Sequence, residues 1–245
     1  LIFFNKPKPA LKDLIPDNFI DIHSHIIFGI DDGAKTFEDS LFLTNSLIEF
    51  GIKDIITTPH TIQYVWDNTR ENIIKKHAET NKLLIENNIN IPFKVASEYL
   101  MDDFFVKRFK SEKLLTLKDN YVLVEMSYLN APIQLYDILF ELQIAGYIPV
   151  LAHPERYQFC HENFSEYSKL KKAGCLFQLN LLSSVGYYGE NVFKTAKKLL
   201  EQGYIDYVGS DAHHKNHIQA FNNKVIIKDL QPLKEAFYGN IFFKK

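Results

Sequence analysis

The chain has little cysteine, no long apolar run and no excess of charge of either sign. Its 245 residues hold two cysteines, Cys160 and Cys175, with fourteen residues between them and outside any CxxC spacing. That excludes a disulfide framework and a thiolate metal site, and favours a reducing, cytoplasmic setting. No stretch approaches the ~18 consecutive apolar residues of a membrane span, and the apolar core of the opening LIFFNKPKPALKD is too short for a signal peptide. Lysine plus arginine number 28 against 30 acidic residues, so no broad field is present to attract a nucleic-acid backbone or an anionic membrane.

What is present is a 46% hydrophobic content, enough for one sizeable core, and a recurring unit. An amphipathic helix stops at a glycine, and a short β-rich run ending in polar residues follows. Helices near 38–50, 133–145, 165–173 and 191–202 stop at Gly51, Gly146, Gly174 and Gly203. The strands KDIITTPH, YIPVLAHPER, CLFQLN and YIDYVGSDAH come next. TFED places a capping box at Thr36 and Asp39. A long helix over about 69–87, the strand PFKVASEY, the short helix DDFFVKRFK and the strand NYVLVEMS lie between. Such alternation implies a parallel sheet, and seven strands in one α/β domain imply a closed or nearly closed barrel. Residues 1–18 read as an extended N-terminal lead-in and 19–245 as the domain, with a terminal helix after about residue 218 and NIFFKK unassigned.

The polar residues fall at the strand ends. DIHSHIIFGIDDG carries Asp21, His23 and His25 at alternate positions, which share one face of a strand. Alone, His-x-His is explained equally well by hydrogen-bonded core histidines. His60, Glu98, Glu125, His153, Asp211 and His213, however, each close another β-rich run. In barrels of this class the C-terminal strand ends gather on one rim, and so many buried carboxylates and imidazoles there call for a cation. His77, His161, His214 and His217 are expected at the surface.

The ordered set HSH, GIDDG, TPH, SEY, VEMS, AHPERY and SDAH resembles the polymerase and histidinol phosphatase (PHP) family. GIDDGAKTFEDS and AHPERY narrow the resemblance to its capsule-associated tyrosine phosphatases of the CpsB, CapC and YwqE type, over roughly 19–213. The resemblance implies a distorted seven-stranded TIM-like (β/α) barrel, a single domain holding three divalent ions, usually manganese, with iron, zinc, magnesium or cobalt as alternatives. It assigns His23, His25, Glu98 and Asp211 to one ion, Glu98, Glu125 and His153 to a second, and Asp32, His60 and His213 to a third. Arg156 would contact the substrate phosphate.

The segment HHKNHIQ lacks the arginine that some relatives carry after SDxH. Lys215 is its candidate replacement, as a point charge. Tyr64 and Trp66 are candidate walls for an aromatic substrate, although rim packing accounts for them equally well. A cysteine-dependent tyrosine phosphatase needs arginine six positions after its cysteine, where this chain has Glu166 and Leu181. The implied substrate is phosphotyrosine on a bacterial tyrosine kinase that regulates capsular or exopolysaccharide synthesis. The alternatives are a small-molecule phosphomonoesterase such as a histidinol phosphatase, and a non-catalytic metal-stabilised regulatory module.

Overall fold

The computed structural model describes residues 8–244, and in them helices alternate with parallel strands. In chain order these are β1 (Phe19–Asp21), α1 (Phe37–Glu49), β2 (Ile52–Thr57), β3 (His60–Thr61), α2 (Arg70–Glu86), β4 (Phe93–Val95), β5 (Glu98–Leu100), α3 (Asp103–Ser111) and β6 (Tyr121–Glu125). There follow α4 (Leu135–Ile144), β7 (Ile148–Ala152), α5 (Gln158–His161), α6 (Ser165–Lys172), β8 (Leu176–Asn180), α7 (Glu190–Glu201), β9 (Tyr207–Gly209), α8 (Lys215–Ala220) and α9 (Gln231–Gly239). The Thr36–Asp39 capping box starts α1. Gly51 and Gly146, at φ 99° and 91°, turn the chain out of α1 and α4 in a conformation that side chains resist.

Parallel pairing runs β1-β2-β4 in one sheet and β3-β5-β6-β7-β8-β9 in the other. The two sheets are halves of one barrel. Between β2 and β3 the chain bends at Pro59, which has no N–H to give a ladder. The neighbouring path bends with it, and pairing persists through the break: Ala96 N–H donates to the Thr57 carbonyl at 2.9 Å and Glu98 N–H to the Pro59 carbonyl at 3.1 Å. Closure comes beyond β1 and β9, where His25 N–H donates to Ala212 O at 3.0 Å and Asp211 N–H to His23 O at 2.8 Å. Counting β2 with β3 and β4 with β5, seven strand paths close the distorted (β/α) barrel as one domain.

Side chains alternate across the wall. In β6, Val122 and Val124 pack outward against the helices, whereas Leu123 joins Ile20, Ile22, Ile56 and Val150 in the barrel interior. The NIFF segment fills the bottom of that interior. Phe243 is buried, edge-on to Tyr207 with ring centres 4.9 Å apart. Asn240 donates to the Ile20 and Val208 carbonyls, both at 2.8 Å, and accepts from Val208 N–H at 3.0 Å.

The lead-in is packed rather than extended in its described part. Leu11 is fully buried in a 3-10 turn, Leu11–Leu14, and its N–H donates to Asn223 O at 3.0 Å. Leu14 and Ile15 pack beside it against the main core, a burial that the Lys and Pro content of the segment obscures. Residues 1–7 and 245 lie outside the description.

Candidate metal centre and catalytic cleft

The nine residues expected to hold the three ions converge on one rim. His23 and His25 follow β1, His60 and Glu98 open β3 and β5, Glu125 ends β6, His153 follows β7, Asp211 and His213 follow β9, and Asp32 descends from the loop before α1. That loop sits against His25: a Cβ on Gly33 would lie 2.2 Å from the His25 carbonyl oxygen, so only glycine fits. His153 and Asp211 leave their strands with φ of 35° and 49°, a left-handed turn that is unusual for such residues and aims both side chains into the cleft.

The hydrogen bonds on the far side of the imidazoles fix what faces the centre. Gln178 donates its amide N–H to the Leu179 carbonyl at 2.7 Å, so its oxygen accepts from His23 Nδ1–H at 2.7 Å. Asp31 accepts from His25 Nδ1–H at 2.8 Å, and the Asp211 carbonyl accepts from His213 Nδ1–H at 2.8 Å. Three Nε2 lone pairs therefore point inward. His23 Nε2 faces His25 Nε2 at 3.3 Å, Glu98 Oε2 at 3.2 Å and Asp211 Oδ1 at 3.2 Å, an assembly made of acceptors.

Donor atoms sharing an ion at ~2.0–2.2 Å in a tetrahedron stand ~3.3–3.6 Å apart, so this spacing suits a cation. Asp32 Oδ1 likewise lies 3.5 Å from both His60 Nε2 and His213 Nε2. The buried His60 Nδ1 and Glu125 Oε1 approach to 2.9 Å, Glu98 Oε2 lies 3.2 Å from the same His60 nitrogen, and among the described residues neither His60 Nδ1 nor Glu125 Oε1 has a hydrogen-bond partner. The residues fit metal.

Without ions, protons supply the positive charge. Burial disfavours the His60 imidazolium, yet Glu125 and Glu98 outweigh it and raise its pKa to about 9. His23 and His25 are also raised against the effect of burial, by Glu98 and Asp211 around the first and by Asp31 beside the second. Burial pushes Glu98 and Asp211 up, but the surrounding histidines hold both well below the usual carboxylate range.

Arg156 forms one wall of the adjoining cleft, a space of about 330 Å³ also bounded by His60, Trp66, Glu125, Tyr128, His153, His213 and His214. Its Nη1 donates to Asp211 Oδ2 at 3.0 Å. The guanidinium lies between the rings of Tyr128 and Tyr188, 4.5 and 4.3 Å from their centres. Asn180 Nδ2 donates to the same Asp211 oxygen at 2.8 Å.

Residues 19–225 match the model of a family described as capsular polysaccharide synthesis, CpsB/CapC. The chain belongs to the CpsB/CapC family. It is 33% identical over 196 residues to the tyrosine-protein phosphatase YwqE of Bacillus subtilis, covering 80% of this chain and 77% of the relative. It is 29% identical to the tyrosine-protein phosphatase CpsB of Streptococcus pneumoniae, covering 80% and 83%. A crystal structure from work on YwqE and CpsB, described there as unique metal-dependent tyrosine phosphatases, superposes with a TM-score of 0.76 at 32% identity, covering 82% of this chain and 84% of that one. A histidinol phosphate phosphatase from Lactococcus lactis superposes with a TM-score of 0.51 at 13% identity, covering 84% and 91%, a likeness of fold.

Within this CpsB/CapC chain, His23, His25, Glu98 and Asp211 stand together, and Asp32, His60 and His213 stand together with His25. The expected trio of Glu98, Glu125 and His153 does not: Glu125 groups with His60 and Glu98, while His153 Nε2 reaches the other Glu98 oxygen at 3.0 Å beside His23. Trp66 lines the cleft. Tyr64 does not; it is 78% exposed at φ 66°, edge-on to Phe104. Lys215 is also outside the cleft lining, because α8 begins there and carries it away as an exposed residue.

Of the histidines expected at the surface, His217 is buried, its ring tilted against that of His214 with centres 4.0 Å apart, and accepts from His213 N–H at 3.2 Å. His77 is half-buried, stacked on Phe93 and bonded to its carbonyl at 2.9 Å. Asp21 does not reach the cluster: its carboxylate accepts from Ser210 N–H at 2.9 Å and Oγ–H at 2.5 Å, tying β1 to β9.

Five supporting residues escaped sequence reasoning. Gln178 and Asn180 had a signal, as polar residues at alternate positions of the strand LFQLN. Asp31 was visible but not separable from Asp32, and Tyr128 and Tyr188 lie in loops whose local sequence gives no direction.

Proposed function

We propose that this chain is a metal-dependent protein-tyrosine phosphatase holding three divalent ions, with manganese the leading candidate. Its proposed substrate is phosphotyrosine on a bacterial tyrosine kinase that regulates capsular or exopolysaccharide synthesis, in the cytoplasm. The observation that carries the reading is the acceptor-only cluster directly beside a stacked arginine. Family membership and the names of the relatives support the substrate class. Among the described residues no helix is long and apolar enough to cross a membrane.

Divalent ions bound in the cluster supply a water-derived nucleophile near neutral pH and offset phosphoryl charge. The rest is the work of this chain. Arg156 spends one N–H on Asp211 and keeps further donors for phosphoryl oxygens, with its plane held by Tyr128 and Tyr188. Trp66 and Tyr128 offer aromatic walls to the phenyl ring. A phenolate leaving group, from an acid of pKa about 10, leaves with less protonation than an alkoxide, so the chemistry does not demand a dedicated general acid. The cysteines contribute no nucleophile: both are buried, and burial pushes each thiol up to about 12.

The test is parallel turnover of a phosphotyrosine peptide and histidinol phosphate by the manganese-loaded protein. Faster turnover of the peptide is expected. Equal or better turnover of histidinol phosphate refutes the peptide reading, and bound metal with no hydrolysis of either refutes catalysis.

A further inference from the structure

The loop between β6 and α4 has two sides. Tyr128 faces the catalytic cleft, while its neighbour Ser127 lines a second hollow of about 410 Å³. The far wall of that hollow is the continuation of β5, and Leu100 there stands in register with Glu125 of the metal centre. Cleft and hollow are thus adjacent on one rim, separated by a loop.

The hollow has a definite chemistry. Met101 and Ile138 give a buried apolar floor, and Ile133 projects into solvent at its edge. Asp102 and Asp103 give an acidic rim, and among the described residues no lysine or arginine lines it. Asp102 uses one oxygen to accept from Phe105 N–H at 2.8 Å, capping α3, and among the described residues the other has no hydrogen-bond donor and can receive a cation. Asp103 is exposed.

We infer that this hollow is a substrate subsite for a lysine or arginine side chain close in sequence to the phosphotyrosine, an inference that rests on the phosphatase reading. The aliphatic stem lies along Met101, Ile133 and Ile138, and the charged head reaches Asp102 and Asp103. An extended peptide advances ~3.3 Å per residue and neighbouring strands stand ~4.8 Å apart, so the basic residue falls within about three positions of the phosphotyrosine.

The test uses the full-length, metal-loaded protein and fluorescent peptides with a non-hydrolysable phosphonomethyl-phenylalanine in place of phosphotyrosine. Lysine, alanine or glutamate is placed at each flanking position, and binding is read by anisotropy. At one position or more, lysine is expected to bind about five-fold more tightly than alanine. The Asp102→Asn, Asp103→Asn double variant, which keeps an acceptor oxygen for the α3 cap, brings that ratio close to one, and Asp103→Lys makes the glutamate peptide the tighter ligand. Equal binding of lysine and alanine peptides at every position overturns the subsite, as does a lysine preference that persists in the double variant. Hydrolysis of p-nitrophenyl phosphate by the same wild-type preparation is scored separately: its absence refutes the phosphatase reading, while the binding ratios still decide the subsite.

Discussion

Replacing Asp31 by asparagine should weaken metal binding without altering any atom that faces the centre of the cluster. The Asp31 carboxylate accepts three N–H groups: His25 Nδ1–H at 2.8 Å and His60 N–H at 3.1 Å on one oxygen, and Gly33 N–H at 2.9 Å on the other. Asparagine has one acceptor oxygen, so its amide N–H must confront one of these donors. Turning it toward Gly33 strands the fewest. One buried, unsatisfied donor costs ~1–3 kcal/mol. For a chain of this length that lowers the melting temperature by about 5 °C. His25 would keep a neutral acceptor but lose the carboxylate that makes its Nε2 more basic, and changes at such outer partners typically cost ~10–100-fold in metal affinity. That range corresponds to ~1.4–2.7 kcal/mol. Competition against a chromophoric chelator measures the affinity, and scanning fluorimetry the stability. An affinity within two-fold of wild type, with the melting temperature lowered, would show that Asp31 only shapes the turn; no change in either quantity would refute the reasoning outright.

Other outcomes follow from the same geometry. In the metal-free protein, imidazoles raised above the ordinary value of ~6.5, His60 to about 9, stabilise the fold fully below pH 6.5 and lose that contribution as pH rises through the folded value. The melting temperature of chelated protein should therefore fall from pH 6.5 to 9, and the gain on adding metal should widen over that window; a flat or rising curve contradicts this. Arg156→Lys keeps the charge but loses the planar fork and its stacking, so kcat/KM for p-nitrophenyl phosphate should drop about 10²-fold at unchanged metal content. A loss below two-fold would remove Arg156 from phosphate binding. Phe243→Ala empties the barrel bottom and should cost ~3–5 kcal/mol in urea unfolding while leaving metal stoichiometry intact; a cost under 1 kcal/mol would mean the tail is not a plug.

Much of this architecture is legible because the period-two runs and the helix stops at Gly51, Gly146, Gly174 and Gly203 are local signals. The bend at Pro59 is local too, but its consequence, two half-sheets joined beyond β1 and β9, depends on hydrogen bonds between residues nearly 190 apart in sequence. Eight of the nine clustered residues were readable because each sits at or just beyond a strand end, where topology alone brings it to the rim; Asp32, in the loop before α1, was read from the family motif. Their grouping was not. Whether Glu125 meets His60 or His153 is decided by side-chain geometry and by the left-handed turn at His153, which no spacing encodes. Tyr64 and Lys215 failed as cleft residues for a related reason: a positive-φ turn and the start of α8 set their directions after the motif has ended. The NIFF tail and the 3-10 turn at Leu11 are short apolar pieces whose burial depends on distant partners.

Coupling between metal content and phosphotyrosine hydrolysis is the most direct test of the proposed chemistry. Chelated protein, with residual metal verified by elemental analysis, is titrated with manganese while release of phosphate from a phosphotyrosine peptide is followed. Activity should be absent without metal and should rise to a plateau as the cluster fills, with His153→Ala binding less metal. Hydrolysis by metal-free protein, or a fully loaded wild-type protein that releases no phosphate, would contradict it.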